Sequence, residues 1–127
     1  MEYEEITGKI IGAAYAVYKQ LGFGFLESVY KKAMLIELAK SGLKAKEERP
    51  LKVHYDGQVV GDFFVDMFVE ESVVVELKSV QHLSKEHEVQ LVNYLKGLNT
   101  DIGLLINFGP TGVEVKRKYR EQKVRQD

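Results

Sequence analysis

Near the start of the chain, apolar residues recur at spacings of three and four. Tyr3, Ile6, Ile10, Ala14 and Val17 form the stripe of an amphipathic helix over 3–20, and Gly22 ends it. The segment Leu21-Gly22-Phe23-Gly24-Phe25 turns the chain, with glycines able to take positive φ, into a second helical pattern over about 25–41. Leu26, Val29, Ala33 and Ile36 are its expected buried face. The period then drops to two. After Pro50, Leu51, Val53 and Tyr55 alternate with Lys52 and His54, and Asp56-Gly57 signals a tight turn into a run over 59–69. Glu70-Glu71-Ser72 leads on to 73–78, which completes a three-stranded meander. Ser84 stands where it can cap a helix over 85–98 with Leu91, Leu95 and Leu98 inward. Residues 102–108 are a nearly continuous apolar run, as expected of a strand covered on both faces, and Gly109-Pro110-Thr111-Gly112 turns it into a short edge strand at 113–115. The order ααβββαββ predicts an α/β fold, a mixed sheet flanked by helices.

Length and composition narrow this reading without changing it. A chain of 127 residues suits one domain, 1–127, large enough to bury about two thirds of its unfolded surface. No apolar run approaches the roughly 20 residues of a membrane helix. The start, Met1-Glu2-Tyr3-Glu4-Glu5, is acidic where a secretory signal is basic. With no cysteine there is neither a disulfide framework nor a thiolate zinc site, and the expected location is cytoplasmic. The formal net charge of −1 is unevenly spread: residues 116–127 hold six Lys/Arg against two acids, a +4 basic tail, while residues 1–115 sum to −5. Such a tail reads as a solvated terminal helix or frayed end, or as an arm that tracks phosphates.

Charge is most informative in the last hairpin of the meander. Asp66, Glu76 and Lys78 lie in β-branched apolar runs where a buried hairpin should carry no charge. With a three-residue turn, Val69 falls opposite Val73 and Asp66 opposite Glu76. Directly opposed side chains have Cβ atoms about 4.5–5.5 Å apart, so two carboxylates there repel unless a cation lies between them. A hard divalent metal is the simplest such cation. An ammonium at Lys78 would then stand beside a metal-bound water, able to orient or deprotonate it.

The pattern D-x9-E-x-K resembles the PD-(D/E)XK nuclease superfamily, in which the Asp and Glu bind magnesium and the Lys assists attack by water on phosphorus. Val65 stands where the superfamily's name has Pro. Gly24-Phe25-Leu26-Glu27-Ser28-Val29-Tyr30 reads G-x-x-E-x-x-Y and resembles the GxxExxY proteins, small prokaryotic members of that superfamily. The likeness continues in order through Asp66, Val75-Glu76-Leu77-Lys78, Gln90 to Lys96 and Gly103 to Gly109, with Phe23 where that family has Pro. Gln90-Leu91-Val92-Asn93-Tyr94 is similar to the Q-x-x-x-Y helix motif of some exonuclease branches.

This resemblance implies a restriction-endonuclease-like core, αβββαβ, and a magnesium site for which manganese can substitute. Its metal ligands would be Asp66, Glu76 and the Leu77 backbone carbonyl, with Glu27 reaching a second metal or a metal-bound water. Tyr30 would face the same cleft, and Gln90 and Tyr94 would hold substrate or coordinated water. On residue physics alone, Glu27 is an ordinary acid at a helix start, favoured by the macrodipole. Gln90 and Tyr94 at i and i+4 are common on solvated helices. His54 reads as a solvated strand residue, His82 as a loop residue, and His87 as exposed near a helix start with a phosphate contact as the sharper alternative.

Three classes of function follow. The leading one is a magnesium-dependent phosphodiesterase on DNA, less readily RNA, with a homodimer or partner protein able to supply specificity. The second is a non-catalytic nucleic-acid or protein-binding module that keeps the fold. The third is a structural salt-bridge cluster of Asp66, Glu76 and Lys78, disfavoured because a buried ionic cluster contributes little to stability.

Overall fold

In the computed structural model the described residues are 2–120. They form α1 (Tyr3–Leu21), α2 (Glu27–Lys40), β1 (Ala45–Tyr55), β2 (Gln58–Val69), β3 (Val73–Lys78), α3 (Lys85–Leu98), β4 (Ile102–Phe108) and β5 (Val113–Tyr119). The element order is the expected ααβββαββ. The five strands lie in chain order, with β3 and β4 parallel and the other neighbours antiparallel. Parallel neighbours need a long crossover, and α3 supplies it.

Each sheet face is covered by the helices the pattern provides. Ile6, Ile10, Ala14 and Val17 of α1 pack with α2 against Met67, Val75, Leu104 and Ile106. On the other face Leu91 and Leu95 of α3 pack against Phe68, Val74 and Leu105. Both faces of β3 and β4 are therefore buried, which is why their sequences are almost unbroken apolar runs. Tyr3, expected in the α1 stripe, is exposed at the helix start.

Three local expectations are corrected. Helix α2 buries Tyr30, Met34 and Leu38, whereas Leu26 is 76% and Ile36 62% exposed. The helix contains two apolar rows one residue apart, and the row with the bulky Tyr and Met fills the core. Strand β1 begins at Ala45, so Pro50 lies inside it. This is tolerated because β1 is an edge strand, where a missing N–H breaks no second ladder. Strand β5 runs on to Tyr119, so the start of the basic segment is a strand. Arg117 donates to the Thr7 hydroxyl, Lys118 pairs with Glu88 at 2.9 Å, and Arg120 pairs with Asp101 at 2.7 Å. The rest of that segment, 121–127, lies outside the described residues.

Strand β2 changes face part-way along. Met67 and Val69 bury against α1 and α2, yet Val65 buries against α3, so the strand turns over at Asp66. On β1 the facing residue is Glu48, which has φ 53° and no register partner. Backbone irregularity of this kind bends a hairpin. Here it brings Leu51 against α3, so close that a Cβ on Gly97 would come within 2.6 Å of the leucine side chain.

Candidate functional site

The turn of Glu70, Glu71 and Ser72 sets the register of the β2–β3 hairpin, and Val69 pairs with Val73, Phe68 with Val74 and Met67 with Val75. Glu70 and Glu71 take left-handed φ values of 54° and 53°. Their carboxylates are held locally: the Lys44 N–H donates to Glu70 at 2.7 Å, and Glu71 pairs with Lys46. One step beyond Met67 and Val75 the ladder gives way to side chains. The Asp66 N–H donates to Glu76 Oε1 at 2.9 Å, and the Leu77 N–H donates to Asp66 Oδ2 at 2.8 Å. Each acid thus holds the other's strand, which sets two carboxylates side by side where the strands part.

Burial makes this pair costly. Glu76 is 7% exposed, Asp66 is half-buried, and the Leu77 side chain is anchored in the core. Desolvation, then the negative charge of Asp66, push the Glu76 carboxyl up to about 8. The Asp66 N–H and the Lys78 ammonium pull the other way and do not prevail. Glu76 therefore keeps its proton at neutral pH, shared toward Asp66 where a cation would otherwise bring the two acids together. Lys78, half-buried at the end of β3, makes no ion pair among the described residues. A structural salt-bridge triad is not what these residues form.

Tyr94 joins the pair from α3. It is buried, and its phenol is pushed up by desolvation and then by the charges of Glu76 and Asp66. Gln90, one turn earlier, is exposed and lines a cleft of about 940 Å³ between α3 and the β1–β2 hairpin. Tyr94, Asn93, Leu51, His54 and Phe63 line it too. Asp66 and Glu76 do not themselves line the cleft; Tyr94, which feels both charges, connects it to them, and a cleft of that size beside a carboxyl pushed up by burial is the usual form of a binding site.

Other expected residues lie elsewhere. Tyr30 does not face the cleft: it is fully buried, stacked on Phe108 with ring centroids 4.3 Å apart and planes 5° apart. Its hydroxyl donates to the Gly22 carbonyl and accepts from the Phe25 N–H, tying down the turn that precedes α2. Within G-x-x-E-x-x-Y the tyrosine therefore shapes the turn that presents the glutamate. Glu27 is the first residue of α2, exposed, with no hydrogen bond or ion pair among the described residues. No three acids or histidines gather closely enough among those residues to hold one ion, so Glu27 does not complete a three-acid cluster with Asp66 and Glu76. His87 neither contacts a site nor stands free: its Nδ1 accepts from the Ser84 N–H at 3.0 Å, completing a capping box with the Ser84 hydroxyl.

Two residues carry more than the sequence suggested. Asn107, fully buried in β4, accepts from the Val80 N–H and donates to the Val80 carbonyl, each at 2.9 Å, and also donates to Glu114. It pins the chain two residues past Lys78. A lone amide in the run 102–108 was the available signal. Phe63 gave no such signal, being one of two consecutive phenylalanines in a strand.

The sequence profile of the PD-(D/E)XK nuclease superfamily matches residues 4–118. The chain belongs to that superfamily. Its members are typically metal-dependent, and the donor chemistry here fits a hard divalent ion. Asp66 and Glu76 each engage one oxygen with a backbone N–H and keep the other, and among the described residues no histidine or cysteine accompanies them. Magnesium is commonly held by one or two carboxylates with water and phosphate in the remaining positions, so a pair suffices. Among solved structures, that of SSO0001 is similar over 95% of this chain, with a TM-score of 0.61 and 17% identity, a likeness of fold. The chain spans 59% of the length of that protein. No curated protein matches the sequence. Three helices and a five-strand mixed sheet agree with the restriction-endonuclease-like fold. Among the described residues, no helix is long and apolar enough to cross a membrane.

Proposed function

We propose that this protein is a magnesium-dependent phosphodiesterase of the GxxExxY type that cleaves DNA, with manganese able to substitute. The observation that carries the reading is the Glu76 carboxyl, buried against Asp66 without an ion pair, an arrangement that destabilises the fold and that a divalent cation relieves. Asp66, Glu76 and the Leu77 carbonyl hold the ion. When bound, it polarises the phosphoryl oxygen and lowers the pKa of a coordinated water. Lys78 orients that water and faces the charge that develops on the phosphate. Glu27 would reach a bound ion only through water, and Gln90 and Tyr94 position the nucleic-acid backbone along α3.

The binding-module reading draws on one observation, that no third acid joins the pair. One experiment separates the two. Labelled single-stranded, duplex and branched DNAs, and RNA, are incubated with magnesium or manganese and wild type, Glu76→Ala or Lys78→Ala. The nuclease reading expects cleavage by wild type that both variants lose, with Lys78→Ala keeping most of its metal and nucleic-acid binding because a catalytic lysine acts mainly in the transition state. Cleavage retained by both variants, or no cleavage of any substrate, overturns it. In the second case, salt-sensitive binding weakened by Lys78→Ala favours the module.

A further inference from the structure

Phe63 lines the cleft beside Tyr94 and has no part in the carboxylate site. Its ring lies over Gly61, where an added Cβ would come 2.7 Å from ring carbon Cε2 and 3.3 Å from Cζ. Tyr94 supports it from the side, with centroids 5.7 Å apart and planes at 45°. Although glycine backbone and a second ring support it, Phe63 remains 40% exposed. The α3 wall of the cleft carries Lys85 and the amides of Gln90 and Asn93, and Lys52 of β1 lines the cleft as well. The acid on that wall, Glu86, is turned onto the helix start, held by backbone N–H and by Ser84. An aromatic floor under a cationic wall, on a chain whose formal net charge is −1, has the composition of a surface for unpaired bases.

We propose that this cleft takes a single-stranded segment of nucleic acid, one base stacking on the open face of Phe63 while the backbone follows α3 toward Asp66 and Glu76. The destination of the strand rests on the nuclease reading above; the strand form is new. In a duplex the faces of each base are covered by its neighbours and only edges reach the grooves, so a ring at the cleft floor is useful only to a base that has left its stack. Gly61 is part of the device, since any side chain there would displace the ring.

The test is equilibrium binding of the full chain, in calcium to prevent cleavage, to labelled oligo(dT), oligo(rU) and a blunt DNA duplex of equal length. The expected result is at least about tenfold tighter binding of a single strand than of the duplex, with Phe63→Ala weakening it about 5- to 150-fold and Phe63→Trp retaining it. The tighter of the two single strands identifies the sugar. Phe63→Leu, which keeps an apolar side chain without an aromatic face, is expected to lose the same affinity, and an unchanged manganese-induced thermal shift certifies that each variant is folded. Duplex binding as tight as single-strand binding, or single-strand affinity unchanged in Phe63→Ala and Phe63→Leu, overturns the proposal. Manganese-dependent duplex cleavage lost in Glu76→Ala, without single-strand preference, would overturn this inference and leave the nuclease reading intact. Phe63-dependent single-strand binding without cleavage of any substrate would do the reverse.

Discussion

Glu76 links the site to measurable thermodynamics. Its carboxyl titrates near 4.5 in the unfolded chain and at about 8 in the folded one. Between those values the folded state holds a proton that the unfolded state has released, so stability falls as pH rises through the window. The contribution is fully present below about 4.5 and gone above about 8. Denaturation at a series of pH values should show a decline whose slope approaches at most about 1.4 kcal/mol per pH unit, and Glu76→Gln should flatten it. Metal follows the opposite sign. Because manganese must displace that proton, its apparent affinity should rise up to about tenfold per pH unit from 6 to 8 and then level off. Titration calorimetry in buffers of different ionisation heat would count the proton released. Tyr30 gives a contrasting residue-level case. Tyr30→Phe should cost about 0.5–1.5 kcal/mol by freeing the Gly22 and Phe25 turn, and should change manganese affinity no more than Glu27→Ala does, because its ring lies in the core and reaches the site only through the turn that presents Glu27.

Among the elements, those set by local chemistry were legible in the sequence. Ser84 and the stripe of Leu91 and Leu95 give α3 its observed bounds, Lys85–Leu98, and the unbroken run gives β4, Ile102–Phe108. The β2–β3 register was readable because a three-residue turn fixes which residues oppose, and it brings Asp66 to Glu76 without help from the rest of the chain. Elements decided at a distance were not. The first half of β1, Ala45-Lys46-Glu47-Glu48-Arg49, is too polar to read as a strand and becomes one because β2 offers it a ladder. The sequence of α2 does not say which of its two apolar rows faces inward, and that choice carried Tyr30 into the core. The turning-over of β2 at Asp66, which opens the cleft, leaves no periodic trace. Asn107→Leu should leave the Val80 N–H and carbonyl unpaired, costing about 1–3 kcal/mol in urea denaturation, and should lower activity through the displaced Lys78.

For the molecule as a whole, the two layers divide the work. The α1–α2 side is a packed apolar layer, and the α3 side holds the carboxylates, the cleft and the lysines. Apart from Glu27 at the start of α2, substitutions in the first layer should act on stability, and those at the polar residues of the second on binding. Met34→Ala, in the first, should cost about 2–5 kcal/mol as a buried large-to-small change while leaving oligonucleotide affinity in folded protein unaltered.

The hairpin that joins the two acids also bears on how the chain reaches its native state. Asp66 and Glu76 are ten residues apart and meet through local contacts, whereas the parallel pairing of β3 with β4 must await the α3 crossover. Repulsion between the acids is therefore encountered early, before β4 is in place to reward it. Because desolvation, the larger cause of the Glu76 shift, sets in only when α3 and β4 cover the hairpin, the pH dependence in stopped-flow chevrons should divide between the limbs, with the repulsive share on folding and the burial share on unfolding.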